Sequence, residues 1–395
     1  MTDKIKCNRW LLGTLVVAGV AFAASAALAD ESTSPIYPDA RMESLQARLE
    51  ATEKKLAELQ TQETDLDRQR ARETRKLVRE VLADAENRVT LSNTNSPVTV
   101  NVGGFGIVRW QYNNGGGNGR QSGFNLPYER LELSGKVYDW GYVLSGEFSD
   151  QNAGRFDLVD AYITGDVFDM DVKVGQFVTS FYKGYTDSPL DQMLGEYSVI
   201  ATTFGQGRSQ GIELSREFGD LRIAASYNDG FNSANGAGSL DNDWGLSVRA
   251  DYEIGGGFAV GAAYAYQDGL LDYSTYTVDA SYVNGNLNAG VSWVSSDANT
   301  GFGDNYGLVG TLGYRCTENL QGFVQYEYGK AGAGLSDLNM LTVGCNYDLA
   351  KGVRWTNSFG WAFDALEGWN TYRSGWNDSI RGGEFLVTSQ LSLIF

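Results

Sequence analysis

From Val98 to the last residue, apolar and polar side chains alternate with a period of two, interrupted at intervals by Gly, Asn and Asp. That period belongs to a strand, whose successive side chains point to opposite faces. It predicts sixteen strands, near 98–112, 127–138, 140–149, 155–165, 169–178, 209–218, 221–229, 243–253, 258–267, 273–284, 286–296, 305–316, 319–330, 338–348, 353–364 and 382–395. Their connections alternate in kind. One kind is short, as at Asp139-Trp140, Gly219-Asp220 and Thr317-Glu318; the other is mostly longer and polar. An even number of strands joined in this way is the pattern of a closed barrel that crosses a membrane, with short turns in the periplasm and long loops outside.

Parity then assigns faces. Val98, Val100, Val102, Val108 and Trp110 share one side, as do Leu246, Val248 and Tyr252, and then Phe359, Trp361 and Phe363. The opposite sides carry Arg, Glu, Asp, Asn and Gln, which suit a water-filled interior, and a sixteen-stranded barrel is wide enough to hold one. In the final strand Phe385, Val387, Leu391, Leu393 and Phe395 fall on one face, so Phe395 is expected at a membrane interface.

Before Val98 the pattern is different. Lys4, Lys6 and Arg9 precede an apolar run from Trp10 to about Ala24, and Ala27-Leu28-Ala29 offers a cleavage site, so residues 1–29 read as a secretory signal. Residues 30–40 form a short polar leader. Residues 41–89 contain neither Gly nor Pro and place Leu45, Leu49, Leu56, Leu59, Leu66 and Leu77 on the 4/3 spacings of a coiled-coil seam. At 1.5 Å per residue that helix would reach roughly 70 Å, and self-association is expected because a lone helix of this kind is marginal. A linker at 90–97 and the barrel at 98–395 complete the plan. The expected architecture is all-β, a sixteen-stranded antiparallel transmembrane β-barrel with an N-terminal periplasmic α-helical coiled coil.

Composition narrows the function. The chain has 49 Gly, 22 Tyr, 18 Phe, 9 Trp and only 5 Pro, which fits tight turns, aromatic girdles and unbroken ladders. It has no His, which excludes Ser-His-Asp triads, Cys-His dyads and His-ligated metals. No catalytic residue, metal site or cofactor is expected. Cys316 and Cys345 lie on strands separated by another strand and are expected to be free thiols. An acidic chain, net charge −18, gives no support to nucleic-acid binding.

Residues 98–395 hold 17 Lys and Arg against 34 Asp and Glu. Parity sends eight basic residues inward, Arg109, Lys136, Lys173, Arg222 and Arg249 among them, against eleven carboxylates. The longest connection, about Thr179 to Arg208, carries Lys183, Asp187, Asp191, Glu196 and Arg208 among glycines that let it bend sharply. Folded into the barrel, it would form the narrowest part of the pore. These ten residues are the expected pore lining.

Several blocks resemble the phosphate-selective porin O and P family: Arg130-Leu-Glu-Leu-Ser-Gly-Lys-Val-Tyr138, Tyr142-Val-Leu-Ser-Gly-Glu-Phe148, Asp157-Leu-Val-Asp-Ala-Tyr-Ile163, Val172-Lys-Val-Gly-Gln-Phe177 and Gly205-Gln-Gly-Arg-Ser-Gln-Gly-Ile212. The resemblance is clearest over 98–230. It implies a trimeric sixteen-stranded porin, often with an N-terminal coiled coil. After Gly175-Gln176-Phe177, where the family commonly places a basic residue and then Pro-Phe, this chain has Val178-Thr179-Ser180-Phe181. The expected function is passive diffusion of small hydrophilic solutes and inorganic ions, anions such as phosphate among them, through the outer membrane as a homotrimer embedded in lipid. The alternatives are a tether joining the outer membrane to peptidoglycan through the coiled coil, and a surface receptor.

Overall fold

The computed structural model describes residues 89–90, 98–115, 119–148, 154–234, 243–268, 272–298, 304–330, 336–377 and 379–395. The expected signal, leader and coiled coil lie outside these residues, except that Val89, at the coil's predicted end, begins a two-residue strand with Thr90.

Sixteen strands follow: β1 Val98–Asn113, β2 Gln121–Val137, β3 Trp140–Phe148, β4 Phe156–Val167, β5 Met170–Val178, β6 Arg208–Phe218, β7 Leu221–Asn228 and β8 Trp244–Gly255. The second half comprises β9 Phe258–Asp268, β10 Tyr273–Asn284, β11 Leu287–Ala298, β12 Asp304–Arg315, β13 Leu320–Lys330, β14 Leu338–Ala350, β15 Val353–Ala362 and β16 Glu384–Ile394. Each pairs antiparallel with the next, and β16 returns to pair with β1 from Leu386↔Asn113 to Ile394↔Phe105. The sheet is therefore a closed barrel.

Its wall shows why the alternation reads as it does. In β8, Leu246, Val248 and Tyr252 are exposed on the outside while Ser247 and Arg249 are buried inside. Tyr138, Trp140, Phe168, Phe218, Tyr252 and Phe258 ring the short-turn end, all exposed. The two-residue turn Phe168-Asp169 has φ of 57° and 58°, the doubly left-handed geometry that matches strand twist in a hairpin.

The seam is shared. β1 outruns β16 at the short-turn end, and there Val89 and Thr90 pair with Val102 and Asn101. Between the two partners Gly104 and Phe395 exchange both backbone hydrogen bonds at 3.0 Å. A Cβ on Gly104 would lie 2.2 Å from the carbonyl oxygen of Arg130, so no side chain fits without moving backbone. Gly104→Val is expected to prevent closure. The heat-modifiable gel shift of the folded barrel should be lost in that variant and kept in Gly310→Ala, where a Cβ meets nothing within 4 Å.

Two bulges shape the long-loop side of the wall. Opposite Ile107 and Arg109 stand Tyr128 and Asn125, so β2 carries extra residues at Leu126-Pro127. Proline has no N–H to give a ladder and is tolerated at such a bulge. β2 accordingly begins at Gln121, six residues before the start that Pro127 suggested. In β4 the register shifts between Leu158 and Asp160, and the Gln176 amide donates to the carbonyls of Leu158 and Val159 at 3.4 and 2.9 Å.

Candidate channel constriction

The third long connection, loop 3 (residues 179–207), leaves β5 and enters the barrel. It contains two short helices, α1 Lys183–Thr186 and α2 Val199–Phe204. Wall side chains hold it around much of the circumference. Arg249 donates to the Phe181 carbonyl at 2.8 Å, Tyr182 and Ser292 share a hydrogen bond of 3.0 Å, and Asn346 donates to the Met193 carbonyl at 2.9 Å. Gln390 donates to the Gly195 carbonyl at 2.9 Å. Gly195 has φ +67°, and a Cβ there would sit 2.3 Å from the Gln390 nitrogen, so the loop needs glycine for both reasons.

The start of α2 rests on β13. The Glu327 carboxylate accepts from the Ile200 N–H at 3.1 Å and from the Gln325 amide at 2.9 Å, while Ser198 caps the helix by accepting from Ala201 N–H at 2.9 Å. Ile200 fits against Gly307 and Gly329, where any Cβ would collide with its side chain.

The eighth long connection, loop 8 (residues 363–383), also turns inward. Its Leu366, Trp369 and Trp376 are buried in one cluster with Phe181, Ile200 and Phe204 of loop 3 and with Ala263, Val294 and Met340 of the wall. An apolar core thus fills part of a barrel whose interior was expected to be polar.

The ten residues expected to line the pore are divided among several places. Arg109 and Glu196 are both buried, form an ion pair, and are tied further: Arg109 donates to Gln390 at 2.9 Å and Tyr128 donates to Glu196 at 2.7 Å. Glu196 therefore enters the lumen as a neutralised partner rather than an open charge. Lys173 lies 3.2 Å from Glu213, above the rings of Tyr162 and Phe177. Arg208 forks onto Asp160 at 2.8 and 3.2 Å. Lys183, Asp187, Arg222 and Arg249 share a cavity of about 780 Å³ with Glu217, Asp220, Asp251, Glu253 and Asp279. Arg249 is paired there with Asp251 and Asp279 at 2.5 and 2.9 Å. Lys136 is exposed at the short-turn end of β2, and Asp191 is exposed on loop 3 away from that cavity.

Within the loop, burial pushes the Asp187 carboxyl up to about 6; Lys183 pulls it down and Asp191 raises it again. Burial also raises the phenols of Tyr182 and Tyr197.

Sequence reasoning missed Glu147, Tyr128 and Arg373 as a group. Arg373 of loop 8 pairs with Glu147, which also accepts from Arg130 at 3.0 Å, and the Arg373 guanidinium lies 4.8 Å above the Tyr128 ring. Only the length of loop 8 and its two tryptophans hinted at an inward path. Among the described residues, no group of three or more Cys, Asp or Glu is arranged to hold a metal, and Cys316 and Cys345 are free thiols.

A family model of Gram-negative porins matches residues 14–362. Among curated proteins no sequence matches. The fold is similar to the anion-selective porin from Comamonas acidovorans, with a TM-score of 0.59 and 18% identity over 75% of this chain and all of that one. It is also similar to the trimer form of in-vitro folded OmpT from Vibrio cholerae, at 0.56 and 14% over 75% of this chain and 99% of the other. A mutant of the Rh. blastica porin gives 0.54 and 17% over 75% and 100%. At these identities the likeness is one of fold. The matched family model, together with the closed sixteen-stranded wall, makes this chain a member of the Gram-negative porin family, a channel of the bacterial outer membrane.

Proposed function

We propose that the chain is a passive diffusion channel for small hydrophilic solutes and inorganic ions, acting as a homotrimer, with a weak preference for cations. The observation that carries this reading is the 780 Å³ cavity under loop 3. It sets Lys183, Arg222 and Arg249 against Asp187, Glu217, Asp220, Asp251, Glu253 and Asp279. A vestibule of that sign raises local cation concentration, because low-dielectric walls focus the field of charges within a Debye length, about 8–10 Å at physiological salt.

Anion preference is the second reading. It is favoured by the cluster in which Arg109, Arg130 and Arg373 outnumber Glu147 and Glu196, and by the resemblance to phosphate-selective porins O and P. The trimer form among the similar folds supports the homotrimer. Nothing among the described residues favours the tether or the receptor.

Reversal potential across a KCl gradient in a planar bilayer separates the two readings. At ~0.1 M salt the channel is expected to favour K⁺, and at ~1 M, where the Debye length is about 3 Å, the preference should shrink. A chloride preference at ~0.1 M would assign selectivity to the arginine cluster, and block by added phosphate would then test the anion reading.

A further inference from the structure

We propose that loop 8 is a second constriction element of the channel and that Arg373 determines both pore width and ion preference. The inference rests on the channel reading above and goes beyond it, since general diffusion needs only one inward loop.

Loop 8 is docked at two places by different chemistry. On loop 3, Thr202 donates to the Asn370 carbonyl at 2.6 Å, the Asn370 amide donates to the Thr202 carbonyl at 2.9 Å, and its N–H donates to Thr203 at 3.1 Å. Trp369 packs edge-on against Phe204, its centroid 6.4 Å away. On the wall, β1 takes the loop's backbone: Arg109 donates to the Arg373 carbonyl at 2.7 Å, Gln111 to Ser374 at 3.2 Å and Asn113 to Gly375 at 2.9 Å. Arg373 then reaches past β1 and β2 to Glu147 on β3.

Arg373 has φ +63°, an uncommon conformation for a side-chain-bearing residue and one that persists only where the surroundings over-determine it. Here they do. The strained backbone aims the guanidinium between the rings of Tyr128 and Tyr372, 4.8 and 5.0 Å from their centroids, and onto Glu147, leaving the side chain 12% exposed. A loop that merely covered the mouth would need none of this.

The docked loop lies between two cavities. Between it, loop 3 and the wall from β13 to β1 is a narrow cavity of about 30 Å³, near Arg109 and Gln390. On its outer side lies a polar recess of about 370 Å³ lined by Gln111, Asn113, Asn125, Tyr372 and Asn377, with Arg373 on its surface. Undocking would join the recess to this narrow cavity and widen the path. Loss of the Arg373 side chain would in addition withdraw one positive charge from beside Glu147.

Arg373→Ala tests this in planar bilayers, with folding monitored by the heat-modifiable gel shift. Single-channel conductance is expected to rise by at least about 1.5-fold, and the reversal potential at ~0.1 M salt to move toward cations. Thr202→Val with Asn370→Ala leaves every charge in place. It is expected to raise conductance, and the swelling rate of liposomes in neutral sugars, without moving the reversal potential. Arg373→Lys, which keeps the charge but loses the fork, should fall between wild type and Arg373→Ala.

Unchanged conductance and reversal potential in a folded Arg373→Ala barrel would overturn the proposal. If that variant fails to fold, unchanged conductance and swelling in the double variant would overturn it instead. A wild-type barrel that inserts but conducts nothing would refute the channel reading itself.

Discussion

Arg109→Met is expected to release loop 3, giving channels with higher conductance, larger current noise and stronger cation preference than the wild type. Arg109 is 1% exposed and its partner Glu196 5%, so the variant strands a buried carboxylate whose main remaining side-chain partner is the Tyr128 hydroxyl. Breaking a buried pair from one side costs about 3–5 kcal/mol, because the surviving charge is left without compensation. Loop 3 can escape that cost by undocking into the water of the lumen. Two further anchors go with Arg109, the bond to Gln390 and the bond to the Arg373 carbonyl.

Trypsin should then cut after Lys183, which the docked loop keeps half-buried. Arg109→Met combined with Glu196→Leu should restore much of the docking, since replacing both members of a buried pair by apolar groups is often near neutral. Equal trypsin resistance and equal noise in wild type and Arg109→Met would show that the pair does not hold the loop.

The second large effect is on pH. With Asp187 pushed up to about 6, the cavity under loop 3 should lose one negative charge as pH falls from 7.5 to 5, and K⁺ preference should decline with a midpoint near 6. Ordinary carboxylates titrate near 4 and stay ionised through that window. The linkage has a definite sign. A carboxyl raised by burial favours the protonated loop, so docking is firmest below about 4 and weakens as pH rises through 6. Asp187→Asn should flatten the selectivity curve between pH 7.5 and 5 and should make loop 3 harder to cleave at neutral pH. A curve that keeps its midpoint in Asp187→Asn would assign the titration to another group.

The barrel was legible because its wall obeys one rule. Parity in β8 and β15 gave the outward faces directly, and turns with glycine, such as Gly219-Asp220, marked strand ends. The rule failed where something else shared the face. At the long-loop ends of β9, β11 and β14 the inward residues Ala265, Val294 and Met340 are apolar because they meet loops 3 and 8, and no local pattern announces a contact made across a lumen. The start of β2 was lost for a related reason, since Pro127 reads as a boundary unless its bulge is known.

Individual pore charges were less legible than their faces. Parity sent Arg109 and Arg249 inward but carried no information on what stood opposite. Glu196 and Phe181, which engage them, lie on a loop whose path depends on the finished barrel. Arg373 was unreadable for the same cause. Its role comes from a left-handed backbone and from Glu147, 226 positions earlier.

The apolar cluster inside the barrel also orders the protein's birth. Among the described residues, its loop members Ile200, Phe204, Leu366 and Trp369 are buried in one cluster with wall residues that lie on strands from β9 to β16, so the plug lacks this surface to condense upon until those strands are paired. Contacts this distant in sequence form late, after the chain entropy of the intervening strands has been spent. A newly closed wall is therefore at its leakiest. The permeability barrier arrives afterwards, as loops 3 and 8 settle together from within.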